Sequence, residues 1–274
     1  MILITDAGST SSTHVYLQNG KEIKRVSTGP INPFHHSLAE IKATLKQLSD
    51  DNFHPDEVLF FGAGCKGIAQ IEKMRQALAY TFDDAIITVN SDLMAACLAC
   101  YGKTSGLIGI LGTGSILGYY NGRDLEEISF ASGYLFGDEC SGYHLSQQFL
   151  ADYFKDNLPE TLTLAFAERQ KKNKAELLSF IYKSDNLKTT VASFTPFLKE
   201  NIRSEYVINL VTKSFDAFLE QRKSLLTKST DISLVGTVAW NFKDLFSESI
   251  NKHNLQLRII HKEPMEALMD FYLR

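Results

Sequence analysis

Apolar and polar positions fall into short blocks whose spacing changes along the chain. Met1 to Thr5 reads as an apolar strand and Thr13-His14-Val15-Tyr16-Leu17 as a second. Asn19-Gly20 behind it is a strong hairpin signal, leading into a third strand over Glu22 to Ser27. Leu38, Ile41, Leu45 and Leu48 recur at helical spacing and predict a helix around Ser37 to Leu48. Val58-Leu59-Phe60-Phe61 is short and wholly apolar, as suits a central strand covered on both faces. A helix around Ile68 to Tyr80, a strand over Ala85 to Val89 and a helix from Asp92 complete the order β-β-β-α-β-α-β-α.

The pattern restarts at Leu107-Ile108-Gly109-Ile110-Leu111. Gly112-Thr113-Gly114-Ser115 follows, then a strand over Ile116 to Tyr120 and a second Asn-Gly turn at Asn121-Gly122. A small-residue loop followed by Asn-Gly in both halves reads as a divergent internal duplication. From Gly142 to about Arg222 the pattern is mostly helical, and runs such as Glu168-Arg169-Gln170-Lys171-Lys172 read as solvated faces. Strands are expected over Ile232 to Val235 and Leu255 to Ile260, and a closing helix over Pro264 to Tyr272. No flexible linker separates the halves. The expected division is an N-terminal lobe over 1–103, with the closing helix of 263–274 packing back on it, and a second lobe over 104–262 with a helical insertion.

Composition narrows the class. The 274 residues, 44% hydrophobic and 22% charged, suffice for a sizeable core. A formal charge of −4 with no basic stripe argues against nucleic acid or an anionic membrane as partner. Met1-Ile2-Leu3-Ile4-Thr5-Asp6 lacks a basic n-region and a small-residue cleavage site, and the apolar stretch near Leu107 is broken by glycines. A cytoplasmic protein is expected. Cys97 and Cys100 form a C-x-x-C inside a small-residue helical pattern with no second pair, which favours buried helix-face thiols over a metal or redox site.

Candidate chemistry sits in the glycine-bearing loops. Asp6-Ala7-Gly8-Ser9-Thr10-Ser11-Ser12 joins two strands, and such a turn can aim backbone N–H groups and hydroxyls at a phosphate. Asp6 is placed to hold a hydrated Mg²⁺. An ordinary hairpin with a turn-capping Asp reads equally well. Gly112-Thr113-Gly114-Ser115 repeats the arrangement, so the two turns could hold a polyphosphate between them. Neither fits a P-loop, and neither opens a dinucleotide-binding β-α-β unit. Asp92 is an N-cap or first-turn acid favoured by the helix dipole, or a general base for an attacking hydroxyl, and the residues alone favour the cap. Asp138 and Glu139, within Ser132 to Gly142, could bind sugar hydroxyls or cap the helix that follows. Gly236-Thr237-Val238-Ala239 could let an adenine lie against backbone or make a tight packing turn.

The ordered set resembles the actin, hexokinase and Hsp70 superfamily: its first phosphate motif at Asp6 to Thr13, its second at Gly112 to Ser115, its adenosine motif at Leu234 to Ala239. Within it, the chain resembles the N-acetylglucosamine kinases and the BadF/BadG/BcrA/BcrD-type ATPases. That resemblance rests on Thr28-Gly29-Pro30-Ile31-Asn32, Gly62-Ala63-Gly64, Ser91-Asp92-Leu93-Met94-Ala95-Ala96 and Gly133 to Gly142. It implies an α/β, two-lobed actin-like (ribonuclease H-like) fold, with duplicated lobes around a nucleotide cleft. The implied activity is transfer of the γ-phosphate of Mg-ATP to O6 of an amino sugar, N-acetylglucosamine being the expected acceptor. Asp92 would be the base. Gly8, Ser9, Thr10, Ser11, Ser12, Gly112, Thr113, Gly114 and Ser115 would lie at the phosphates, and Gly236 and Thr237 at the adenosine. Asn32, Asp92, Thr113, Gly133, Tyr134 and Asp138 would contact the sugar, and Asp6 would organise Mg²⁺ through water. Cys65 stands where the kinases carry an acid, and Tyr134-Leu135 where the animal enzymes have Gly-Trp beside the acetyl group. The family commonly forms homodimers. Rival readings are an ATPase that activates a partner enzyme and a non-catalytic sugar sensor on the same scaffold.

Overall fold

The computed structural model describes residues 1–48 and 52–273. Arg274, at the end of the expected closing helix, lies outside the described residues, as do positions 49–51 of the expected first lobe. Strands β1 (Ile2–Ala7), β2 (Ser12–Gln18), β3 (Lys21–Thr28), β4 (Glu57–Gly62) and β5 (Ile86–Ser91) form one sheet in the order β3-β2-β1-β4-β5. The first three are antiparallel, and β1, β4 and β5 are parallel. Strands β6 (Gly106–Leu111), β7 (Ser115–Tyr120), β8 (Leu125–Ile128), β9 (Asp231–Val235) and β10 (Gln256–His261) repeat that order and those directions, as β8-β7-β6-β9-β10. This is the duplicated mixed-sheet α/β architecture that the resemblance implies.

Local chemistry explains the turns. Asn19 and Gly20 both have positive φ, 51° and 75°, which gives the tight reversal that suits the strand twist. The second Asn-Gly builds a longer turn. Asn121 Oδ1 accepts the N–H groups of Arg123 (2.9 Å) and Asp124 (2.8 Å), and β8 follows. That short strand, Leu125-Glu126-Glu127-Ile128, carries an acidic pair that Lys228 meets at 3.8 and 3.1 Å. The first helix is Leu38–Leu45, shorter than its periodicity suggests, because Lys46–Leu48 tightens to a 3₁₀ turn. Ser37 and Glu40 close a capping box at its start.

The chain divides into two compact units, Met1–Lys103 with Pro264–Arg274, and Thr104–Glu263. In the first, alternate residues serve opposite faces of the sheet. Leu3, Val58 and Phe60 pack under helices Leu38–Leu45 and Ile68–Thr81 with Ile41, Leu45, Met74 and Leu78. Ile4, Leu59 and Phe61 pack on the other face with Ala95 of helix Asp92–Tyr101 and Met265, Leu268 and Met269 of helix Met265–Tyr272. Double coverage is why β4 has no polar alternation. A polar chain also crosses this sheet: Thr5 Oγ1, the two His14 ring nitrogens and Thr28 Oγ1 are linked at 2.9 Å each, all buried. In the second unit the helices between β8 and β9, including Gly142–Phe154 and Glu205–Glu220, build a separate core around Phe149, Phe166, Phe215 and Phe218. Among the described residues no helix is long and apolar enough to cross a membrane.

Candidate functional site

Register places three loops of the first unit side by side. Ala7 at the end of β1 pairs with Gly62 at the end of β4, and Gly62 pairs with Ser91 at the end of β5. The loops after these residues therefore leave the sheet in a row at the carboxyl ends of parallel strands, where open α/β sheets bind ligands. They carry the first glycine turn, the Gly62-Ala63-Gly64 turn and Asp92.

In the first turn the Gly8 N–H donates to the Ser11 carbonyl at 2.9 Å. Ser9, Thr10 and Ser11 are exposed, whereas Ser12 is fully buried and its hydroxyl has no hydrogen-bond partner. Asp6 is half-buried at the end of β1. The Ala63 N–H donates to the Ala7 carbonyl (2.8 Å), tying the second loop to the first. Gly64 backs directly onto the Asn32 amide. Asn32 Oδ1 accepts the Phe34 N–H at 2.9 Å, so its NH₂ group is the donor it can offer a ligand.

Asp92 opens helix Asp92–Tyr101 but does not cap it. Ser91 caps it, accepting the Met94 N–H at 3.2 Å, while Asp92 Oδ1 accepts the N–H of Leu93 at 2.9 Å. Of the two structural readings of Asp92, the cap belongs to its neighbour Ser91, and Asp92 is the first-turn acid that the helix dipole favours. Cys65 is a buried thiol that desolvation, and then the nearby Asp92 charge, push up to about 12. It is uncharged at neutral pH. Cys97 and Cys100 are buried on the same helix, form no disulfide, and Cys97 is driven upward by burial. Among the described residues no three His, Cys, Asp or Glu side chains group as a metal site.

The second unit gathers its own set. The Gly112 N–H donates to the Gly114 carbonyl (3.0 Å), closing the second turn. The first N–H groups of helix Gly142–Phe154 donate to Gly112 and Thr113 carbonyls, from Gly142 at 2.8 Å and Tyr143 at 3.3 Å. Ser115, at the start of β7 as Ser12 is at the start of β2, is likewise buried with an unpartnered hydroxyl. Gly236 leaves β9 at φ +121° against this turn, and a Cβ there would fall 2.3 Å from the Leu111 carbonyl oxygen. The packing role considered for Gly236 is therefore real. Thr237 beside it is exposed.

Asp138 and Glu139 do not cap helix Gly142–Phe154; Ser141 does, accepting the His144 N–H at 3.1 Å. Both acids are buried instead in a strained loop, where Asp138 (φ 57°) and Cys140 (φ 59°) adopt left-handed backbone. Each acid meets a cation that sequence reasoning missed. Arg222 lies 2.9 Å from Glu139 Oε2, with side chains only 8% and 7% exposed. Lys188 Nζ lies 2.9 Å from Asp138 Oδ2, at angles that leave this oxygen without a hydrogen bond. Tyr134 packs edge-on to Tyr143 with ring centroids 4.8 Å apart, while Gly133 before it is exposed. His144 is held below its usual range by burial, against the opposing pull of Glu139 and then Asp138.

No protein-family model matches the chain. An N-acetylmuramic acid/N-acetylglucosamine kinase of Clostridium acetobutylicum is 26% identical over 271 residues, 88% of this chain and 86% of the relative. The crystal structure of a candidate N-acetylglucosamine kinase from Porphyromonas gingivalis superposes with a TM-score of 0.93 at 30% identity, over 100% of this chain and 99% of that one. A ROK-family glucokinase from Streptomyces griseus shares the fold at 14% identity and a TM-score of 0.59, over 98% of this chain and 97% of that one.

Proposed function

The chain belongs to the N-acetylglucosamine kinase family of actin-like ATPases and is a sugar kinase, a phosphotransferase with an alcohol acceptor; from that premise we propose that it transfers the γ-phosphate of ATP to O6 of an amino sugar, N-acetylglucosamine. The observation that supports this best is the matched pair of glycine turns at equivalent places in the two sheets, each with a buried, unpartnered serine hydroxyl behind it, Ser12 and Ser115. A buried hydroxyl without a partner is costly unless a ligand completes it.

In this reading Gly8 to Ser12 and Gly112 to Ser115 hold the phosphates, and Gly236 and Thr237 border the adenosine. Asn32, Thr113, Gly133, Tyr134 and Asp138 hold the sugar. Asp92, released from capping duty by Ser91, accepts the O6 proton as that oxygen attacks phosphorus. Phosphoryl transfer asks the protein mainly for positioning and charge neutralisation, which these groups offer. Asp6 and the exposed turn hydroxyls form an all-oxygen set without a cluster of acids, which fits Mg²⁺ held through water and by the phosphates. When bound, the ion would neutralise phosphate charge. The test is to incubate the protein with Mg-ATP and N-acetylglucosamine and read the product by ³¹P and ¹³C NMR. Phosphate on O6 supports the reading. Phosphate on another oxygen overturns the position, and no phosphosugar overturns the acceptor.

A further inference from the structure

We infer that Lys188 is a specificity-determining residue that lets the sugar site accept an amino sugar carrying a carboxylate on an ether at one of its hydroxyl positions. The inference rests on the proposed role of Asp138 as a sugar contact. Helix Leu187–Ala192 brings the Lys188 ammonium 2.9 Å from Asp138 Oδ2 and 5.9 Å from the centre of the Tyr134 ring. Both groups press on the second glycine turn. A Cβ at Gly114 would fall 2.6 Å from Lys188 Nζ and 2.8 Å from Asp138 Oδ2, so only glycine leaves them room. Three of the groups around the ammonium, Asp138, Tyr134 and Gly114, thus belong to or border the sugar set.

The pair is asymmetric. The Asp138 side chain is 9% exposed and that of Lys188 29%. The acid is enclosed and its Oδ2 accepts no hydrogen bond, so it awaits a hydroxyl donor. The ammonium has three donors, and its contact with Asp138 Oδ2 is one of charge, without a hydrogen bond. A neutral sugar needs only the carboxylate acceptor. A sugar with a carboxylate-bearing ether in place of one hydroxyl would be repelled by a lone buried Asp. An adjacent ammonium cancels that repulsion and offers a charge-assisted hydrogen bond. Glu139 next along the chain adds no net charge, because Arg222 neutralises it.

The experiment compares N-acetylglucosamine with N-acetylmuramic acid, its carboxylate-bearing ether, as acceptors for the wild-type chain, Lys188→Met and Lys188→Arg. Thermal melts establish that each variant is folded. The wild type is expected to phosphorylate both sugars. In Lys188→Met, kcat/KM for the acidic sugar should fall at least about tenfold further than for the neutral one, mainly through KM. Lys188→Arg should restore most of the difference. Equal losses for the two sugars, or a wild type that takes only the neutral one, would overturn the inference while leaving the kinase reading intact. If neither sugar is phosphorylated, the kinase reading fails, and calorimetric binding of N-acetylmuramic acid still decides. Weaker binding in Lys188→Met than in wild type supports the role of Lys188, and equal binding overturns it.

Discussion

His14 Nε2 lies 2.9 Å from the Thr28 hydroxyl, and the direction of that bond follows from its neighbours. Thr28 Oγ1 donates to the Gly29 carbonyl at 3.0 Å, so its oxygen accepts the Nε2 proton. In the neutral ring Nδ1 is then the acceptor for the Thr5 hydroxyl, also at 2.9 Å. The chain of bonds runs from β1, one residue before Asp6, to the end of β3, where Thr28-Gly29-Pro30-Ile31-Asn32 begins. Burial keeps the imidazole in that neutral form, lowering the His14 pKa from 6.5 to about 4.

The sign of the resulting pH dependence is fixed. Between about pH 4 and 6.5 the unfolded chain binds a proton at His14 that the folded chain refuses, so stability rises with pH across that window. The contribution is fully present above pH 6.5 and lost as pH falls toward 4, amounting to about 3 kcal/mol over the window. Urea unfolding of wild type and His14→Gln at pH 4.5 and 7.5 checks it. The wild type should lose more stability on acidification than the variant, and parallel losses would show that His14 does not carry the effect.

Asp92→Asn keeps the shape of the residue and removes its basicity. Ser91 caps the helix, so the fold should tolerate the change. Turnover should drop at least about a hundredfold with the sugar KM within a few-fold of wild type. Near-normal kcat in a folded variant would remove Asp92 from the role of base.

Gly236→Ala places a methyl group 2.3 Å from the Leu111 carbonyl oxygen, in a backbone conformation at φ +121°. We expect a loss of about 2–3 kcal/mol in stability and a raised KM for ATP, with the sugar KM less affected. A melting temperature equal to wild type would contradict the packing described for this turn.

Arg222 is buried beside Glu139, stacks on Phe218 at 4.4 Å and donates to the Phe218 carbonyl at 2.9 Å. Arg222→Met strands a buried carboxylate and should cost about 3–5 kcal/mol. The double variant Glu139→Gln with Arg222→Met should recover part of that loss. Additive losses in a denaturant series would mean the two side chains do not act as a pair.

Much of the scaffold is legible in the sequence because its signals are local. Asn19-Gly20 encodes its own turn, Val58 to Phe61 suits a doubly covered strand, and the helix at Asp92 follows from its pattern. β8 is not named by the pattern, since Leu125-Glu126-Glu127-Ile128 is short and its acids are met by Lys228, distant in sequence. The candidate site divides in the same way. Its glycine turns are visible as motifs, but the cations at Asp138 and Glu139 come from Lys188 and Arg222 in the helical region, where nothing local marks them. Helix caps are hard to assign from sequence for a related reason. Ser91 adjoins Asp92 and Ser141 follows Asp138 and Glu139 by two or three residues; acids share the capping preference of serine, and only geometry separates cap from neighbour.

The most direct test of the account is ADP release from Mg-ATP, followed with and without N-acetylglucosamine, glucosamine, N-acetylmannosamine or glucose. N-acetylglucosamine should accelerate release at least about a hundredfold over the sugar-free rate, because the sugar hydroxyl and not water is the acceptor. Slow ATP hydrolysis that no sugar changes would contradict it.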